Sequence, residues 1–278
     1  MARIQTGYTG SADLPRVCII GAGCSGITTA KRLKDNNIGY DCYEASDDIG
    51  GNWYYQNPNG MSACYQSLHI DTSKFRLAFE DFPVPLDWPD FPHHSQLHAY
   101  FKAYVSHFGL RETITFNTRV IKAHRRDDGL WQVHLSNGKL LFYDVLIVAN
   151  GHHWDPRLPD AYPGHFKGTQ LHAHAYNDPF DPIDMRGKRV VVVGGGNSAM
   201  DIASELSQRS LSQKLFISMR RGVWVLPKYM NGKPSDKAAL PSWLPLELGR
   251  KLAKGALIKA IGHMEDYGLP KPDHDPLT

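Results

Sequence analysis

Cysteine is scarce in this chain. Only four of its 278 residues are cysteine, Cys18, Cys24, Cys42 and Cys64, and all lie in the first quarter. So few exclude a disulfide-stapled scaffold. The apolar runs around Cys18 and Cys42 mark these two as reduced, buried thiols of the kind usual in cytoplasmic proteins. A charge surplus is missing too: 31 basic residues face 28 acidic ones, a formal net charge of +3, too small and too evenly spread for a nucleic-acid partner. No apolar run is long enough to cross a bilayer, and no basic-then-apolar leader opens the chain. The expected location is therefore the cytoplasm.

Several catalytic signatures are absent as well. Fourteen histidines include His93-His94, His152-His153 and His172-Ala173-His174, but no pair has the i,i+4 spacing of a helical metal site. No cysteine or carboxylate cluster stands beside them, so no metal is expected. Neither Ser nor Cys sits in a nucleophile elbow, which leaves hydrolysis unsupported.

What is present is a pattern that occurs twice. After a polar tail, Arg16–Ile20 predicts a strand, Ser25–Lys34 a helix and Tyr40–Glu44 a second strand. The pattern restarts with a strand at Arg189–Val193, a helix at Ser198–Gln208 and a strand at Lys214–Ser218. Two βαβ openings imply an α/β chain of two Rossmann-like dinucleotide-binding domains, expected at 1–165 and 166–278. Between them Gly50–Pro92 reads as a long functional loop, and Ser95–Phe108 as a helix capped by Ser95. Ile114–Tyr143 reads as a meander of short strands, and Val145–Ala149 as a buried central strand ending in a turn at Asn150-Gly151. Pro156, Pro159 and Pro163 mark a linker, and Leu246–Ile261 predicts a helix.

Each opening carries a glycine loop between strand and helix. The first is Gly21-Ala22-Gly23-Cys24-Ser25-Gly26. Gly21 makes the turn, Gly23 lets a pyrophosphate reach the amides at the helix start, including that of Ser25, and Gly26 lets helix and strand pack closely. Glu44, eighteen residues after Gly26 at the end of the next strand, is placed to accept hydrogen bonds from a ribose diol. The second loop is Gly194-Gly195-Gly196-Asn197-Ser198-Ala199, with alanine at the third position. Its partner strand ends in Arg220-Arg221 instead of an acid. Paired guanidinium groups suit a 2′-phosphate, which favours NADPH; a solvated basic turn is the plain alternative.

The segment between the loops resembles a known family. Phe166, Gly168, His172 and Tyr176 match the FxGxxxHxxxY fingerprint of flavin-containing monooxygenases. Similar to that family too are Glu44-Ala45-Ser46-Asp47-Asp48-Ile49-Gly50-Gly51-Asn52-Trp53, Tyr65-Gln66-Ser67-Leu68 and Phe79-Glu80-Asp81-Phe82-Pro83. The resemblance implies an FAD domain at 1–165 and an NADPH domain at 166–278. It implies that NADPH reduces FAD, that O₂ then adds to the flavin as a C4a-(hydro)peroxide, and that this adduct oxygenates a small soft nitrogen or sulfur nucleophile. Gly51, Asn52, Trp53, Gln66, Ser67, Val120 and Gly151 join the expected FAD set, and Tyr176 and Asp71 stand as expected catalytic positions. Relatives often carry Thr-Asn where this chain has Ile70-Asp71. An ionised carboxylate cannot donate a hydrogen bond, so Asp71 is expected either to fix NADP⁺ or flavin, or only to cap the turn at Thr72-Ser73.

The family normally continues past Thr278 with strands that finish both domains. The fold is therefore expected to be C-terminally incomplete, completed by a homodimer partner or by a chain supplying the missing segment. The basic helix Leu246–Ile261 leaves peripheral membrane contact open beside ordinary packing. Baeyer–Villiger oxygenation of ketones, and an uncoupled or non-catalytic FAD- and NADP-binding protein, are the competing functions.

Overall fold

The computed structural model describes residues 7–160, 162–208, 210–237 and 243–276. Part of the polar N-terminal tail, residues 1–6, and the chain end at Thr278 lie outside these residues. The chain divides into two compact units. The first holds residues up to Gln66 together with His93–Asn177; the second holds Ser67–Pro92 and Asp178 onward. The loop 67–92 thus folds with the later unit, and the Phe166–Tyr176 fingerprint with the earlier one.

In the first unit, β1 (Val17–Ile20) feeds α1 (Cys24–Asp35), which returns the chain to β2 (Tyr40–Tyr43). α2 (His94–His107) follows the unit's re-entry. Strands β3 (Ile114–Thr115), β4 (Val120–Arg125), β5 (Trp131–Leu135), β6 (Leu140–Tyr143) and β7 (Val145–Val148) complete it. One sheet runs β3-β2-β1-β7, all parallel; β4-β5-β6 form a separate antiparallel meander. Every residue of β2 is buried, as a strand covered on both faces requires.

Three sequence expectations change here. β3, expected in the meander, joins the parallel sheet beside β2. β7, expected to be central, ends the strand order and pairs only with β1 among the described residues, with Val148 63% exposed. Its apolar run is the same in either place; only the missing second neighbour differs. α2 begins one residue earlier than expected and is capped by His93, not Ser95. The His93 ring accepts the Ser95 amide at 3.3 Å, while Gln96 Oε1 takes the His93 amide at 3.0 Å, a reciprocal box that satisfies two orphan donors.

The core of this unit encloses a polar network around Asp41. Tyr143 Oη donates to Asp41 Oδ2 at 2.7 Å and meets Tyr43 Oη at 2.8 Å, while Arg16 reaches Asp41 Oδ1 at 2.8 Å. Burial beside the Asp41 carboxylate pushes the Tyr143 phenol far above its ordinary value, so it stays protonated and donates. Cys18 and Cys42 are buried and free, as expected, and burial pushes the Cys18 thiol up to about 12.

In the second unit, β8 (Arg189–Val193) leads into α3 (Asn197–Leu206), then β9 (Lys214–Ser218) lies parallel to β8. A short antiparallel pair, β10 (Tyr229–Met230) and β11 (Lys233–Pro234), follows, and α4 spans Leu246–Ile261, as the sequence predicts. No helix among the described residues is long and apolar enough to cross a membrane.

Candidate functional site: two glycine cradles

The first cradle is built where β1 hands the chain to α1. Gly21 takes φ +98°, a left-handed backbone that side chains resist, and a Cβ there would lie 2.6 Å from the Ala149 carbonyl oxygen at the end of β7. α1 is capped by Gly23, which has no side chain to cap with, and carries no acid in its first turn, which leaves its leading amides suited to an anion. The downstream loop closes on this point. Gly50 donates its amide to the Ala22 carbonyl at 3.2 Å, and Gly51 approaches so closely that a Cβ on it would stand 3.3 Å from Gly23 Cα. Two bare backbones face each other in a space that side chains would fill. A pyrophosphate fits this arrangement.

Glu44 follows β2 and is buried. One carboxylate oxygen accepts the Ala22 amide at 2.7 Å and the other the Ser46 amide at 2.8 Å. The expected ribose ligand therefore also fixes the glycine loop. Each oxygen retains a lone pair after these bonds, so a ribose hydroxyl still finds an acceptor.

Asp48 holds the Gly50-Gly51 loop in place. It meets Lys102 at 2.6 Å, Arg111 at 2.7 Å and the Ile49 amide at 2.9 Å. Burial raises its carboxyl, but the Lys102 and Arg111 hydrogen bonds outweigh this and bring it down to about 2. Because the folded value is the lower one, the stabilisation is complete above the ordinary aspartate value near ~4. It is lost as pH falls towards about 2. Denaturant midpoints of the parent should therefore fall across that window, and those of Asp48→Asn should fall less. Parallel curves for the two proteins would remove Asp48 from the account.

The other expected members are spread more widely. Asn52 and Trp53 lie in a 3₁₀ turn, where Asn52 Oδ1 accepts the Ala63 amide at 3.0 Å. Gln66 is tied to the fingerprint by its amide, which donates to the Asn177 carbonyl at 2.7 Å, and its carbonyl meets His93 Nε2 at 2.7 Å. Val120 packs against the cluster of Cys18, Tyr43 and Val133, and Gly151 turns with φ +72° in open space. Tyr176 is buried, its ring edge-on to Tyr65 at 6.3 Å. Beside it, His174 has a buried Nε2 without a hydrogen-bond partner among the described residues. The sequence drew attention to His172 instead, whose ring accepts the His174 amide.

The second cradle repeats the first with looser packing. Gly194 takes φ +130° and donates its amide to the Ser218 carbonyl at the end of β9, and α3 follows Gly196 without a side-chain cap or an acid in its first turn. Ser198 lies in that first turn; Arg220 and Arg221 follow β9, both exposed. Asp71 belongs to this unit. Its carboxylate accepts from Asn197 Nδ2 at 2.9 Å and pairs with Lys228 at 3.3 Å. The Ser73 amide is taken by Asp236 instead, at 2.7 Å, so capping that turn is Asp236's role and not that of Asp71. Ser67, expected at the flavin, binds Glu205 of α3 at 3.1 Å in this same unit. Neither Lys228 nor Asp236 carries a motif that would have singled it out.

Comparison with known proteins agrees with this double construction. A family model described as flavin-binding monooxygenase-like matches residues 14–270. Flavin-containing monooxygenase 5 of Rattus norvegicus is 37% identical over 281 aligned positions, covering 94% of this chain and 52% of that protein. Dimethylaniline monooxygenase [N-oxide-forming] 2 of the same organism is 37% identical, covering 91% and 50%. The chain thus spans about half the length of the curated relatives it matches. S-allyl-L-cysteine S-oxygenase from Allium sativum superposes with a TM-score of 0.67 at 26% identity, over 79% of this chain and 54% of its own. OTEMO in complex with FAD and NADP gives 0.62 at 26% identity, over 77% and 40%.

Proposed function

The chain belongs to the flavin-binding monooxygenase-like family, and from that premise we propose that it binds FAD at the Gly21–Gly26 cradle and NADPH at the Gly194–Ala199 cradle, and serves an oxygenase acting on soft nitrogen or sulfur centres. The observation that carries this is the pairing of two uncapped helix starts behind glycine turns, one followed by a buried acid and the other by two arginines. When bound, the reduced flavin supplies the oxygen-activating chemistry; the protein binds and orients. Gly23 and Gly51 admit the pyrophosphate to the backbone. Glu44 takes the ribose diol. Arg220 and Arg221 clamp the 2′-phosphate.

Asp71 positions the second nucleotide. Held between Asn197 and Lys228, it fixes the first side chain of the α3 cradle. Asp71→Ala should weaken NADP⁺ binding about fivefold, the value of one charge-assisted hydrogen bond partly offset by solvent. Titration calorimetry checks this, and an unchanged affinity would leave Asp71 a bystander. The free thiols Cys18, Cys24, Cys42 and Cys64 favour a reducing compartment, and the cytoplasm is the proposed location.

The activity is tested by giving the FAD-loaded protein NADPH and air with a tertiary amine, a thioether or a cyclic ketone. N-oxide or S-oxide formed in step with NADPH consumption supports the proposal. A lactone from the ketone alone turns it to Baeyer–Villiger chemistry. NADPH consumed without product makes the chain an uncoupled nucleotide-binding protein.

A further inference from the structure

The turn after β9 is covered by a later part of the same unit. Residues Leu269–Asp275 form a strap, docked there by two contacts and to α4 by a third. Gly222 is buried beneath it so closely that a Cβ would stand 2.2 Å from the Pro270 carbonyl oxygen and 2.5 Å from the Lys271 carbonyl carbon. Trp224 Nε1 donates to the His274 carbonyl at 2.9 Å, and Lys254 of α4 binds Asp275 at 2.6 Å. This docking brings Asp273 to the arginine pair. Its Oδ2 lies 3.8 Å from Arg221 Nε, and its Oδ1 lies 3.3 Å from His274 Nδ1. Arg221 and Asp273 have side chains 77% and 60% exposed, so both are open to a ligand.

We propose that Asp273 is a specificity-determining residue of the second nucleotide site, relaxing its preference for NADPH so that NADH is also accepted. The proposal rests on assigning that site to NADPH, and its chemistry follows from where the charges fall. A 2′-phosphate that reaches Arg221 must displace Asp273 or tolerate it, and like charges a few ångströms apart in a solvent-exposed setting disfavour each other by about a factor of five. A 2′-hydroxyl carries no such charge. It is a hydrogen-bond donor, and the Asp273 carboxylate beside Arg221 is an acceptor. One strap residue therefore penalises the phosphate and rewards the hydroxyl. The sequence hides this because Asp273 lies 52 positions after Arg221.

The test is titration of the full chain with NADP⁺ and with NAD⁺, comparing the parent with Asp273→Asn, Asp273→Glu, Arg221→Ala and Arg220→Ala. Asp273→Asn should bind NADP⁺ about fivefold more tightly while its NAD⁺ affinity stays within about twofold of the parent, because the amide oxygen still accepts from a 2′-hydroxyl, and Asp273→Glu should stay near the parent for both. An unchanged ratio of the two affinities in Asp273→Asn overturns the proposal, whether both affinities move together or neither moves. Arg221→Ala reports on the underlying assignment. If neither it nor Arg220→Ala weakens NADP⁺, the nucleotide site is misassigned regardless of Asp273. Unfolding midpoints of all variants within a degree of the parent show that the affinities belong to folded protein.

Discussion

Glu44→Ala should destabilise the earlier unit by about 3 kcal/mol, because it leaves two buried amides, of Ala22 and Ser46, without an acceptor at about 1–3 kcal/mol each. The carboxylate is buried and both its oxygens are engaged, at 2.7 and 2.8 Å. Glu44→Gln separates two effects. Its amide oxygen still accepts one N–H, while its NH₂ meets the other N–H donor against donor, so roughly half the stability loss should remain. FAD binding, followed by quenching of flavin fluorescence, should be lost in Glu44→Ala and weakened at least tenfold in Glu44→Gln, since the amide offers the ribose diol one acceptor oxygen where the carboxyl group has two. Variants with parental midpoints and parental FAD affinity would refute both the structural and the ligand role.

The parts of this molecule that the sequence disclosed are those whose physics is local. A strand, a left-handed glycine and an uncapped helix start are adjacent in the chain, so Gly21–Gly26 and Gly194–Ala199 could be located and their functions argued without coordinates. The burial of Cys18 and Cys42 followed from the runs they sit in. What stayed hidden depends on partners brought from far away. The turn at Thr72-Ser73 is held by Asp236, 163 residues from Ser73. Asp71 is held by Asn197 and Lys228, and nothing around Ile70-Asp71 names either one. The strand Val145–Val148 illustrates the limit best. A continuous apolar run states that a strand will form, but whether one neighbour or two will pair with it is settled by other segments.

The third position of each glycine loop gives the second large effect, and it differs between the two cradles. At Gly26 a Cβ would stand 1.9 Å from the Gly21 carbonyl oxygen, a backbone atom that cannot rotate away. Gly26→Ala must therefore push α1 off β1, and overpacking of this kind costs about 3 kcal/mol or more. In the second loop the residue is already Ala199, whose methyl carbon lies 3.7 Å from where a Cβ on Gly194 would be, ordinary contact distance. The reverse change, Ala199→Gly, should cost only the helix preference of alanine, about 1 kcal/mol. Equal midpoints for Gly26→Ala and Ala199→Gly in urea would show that helix and strand are equally separated in both units, and the close-packing account of Gly26 would fail. If the asymmetry holds, Gly26→Ala should also lose FAD, because moving α1 carries its leading amides away from the pyrophosphate. The methyl group that the second loop already accommodates is then enough to empty the first.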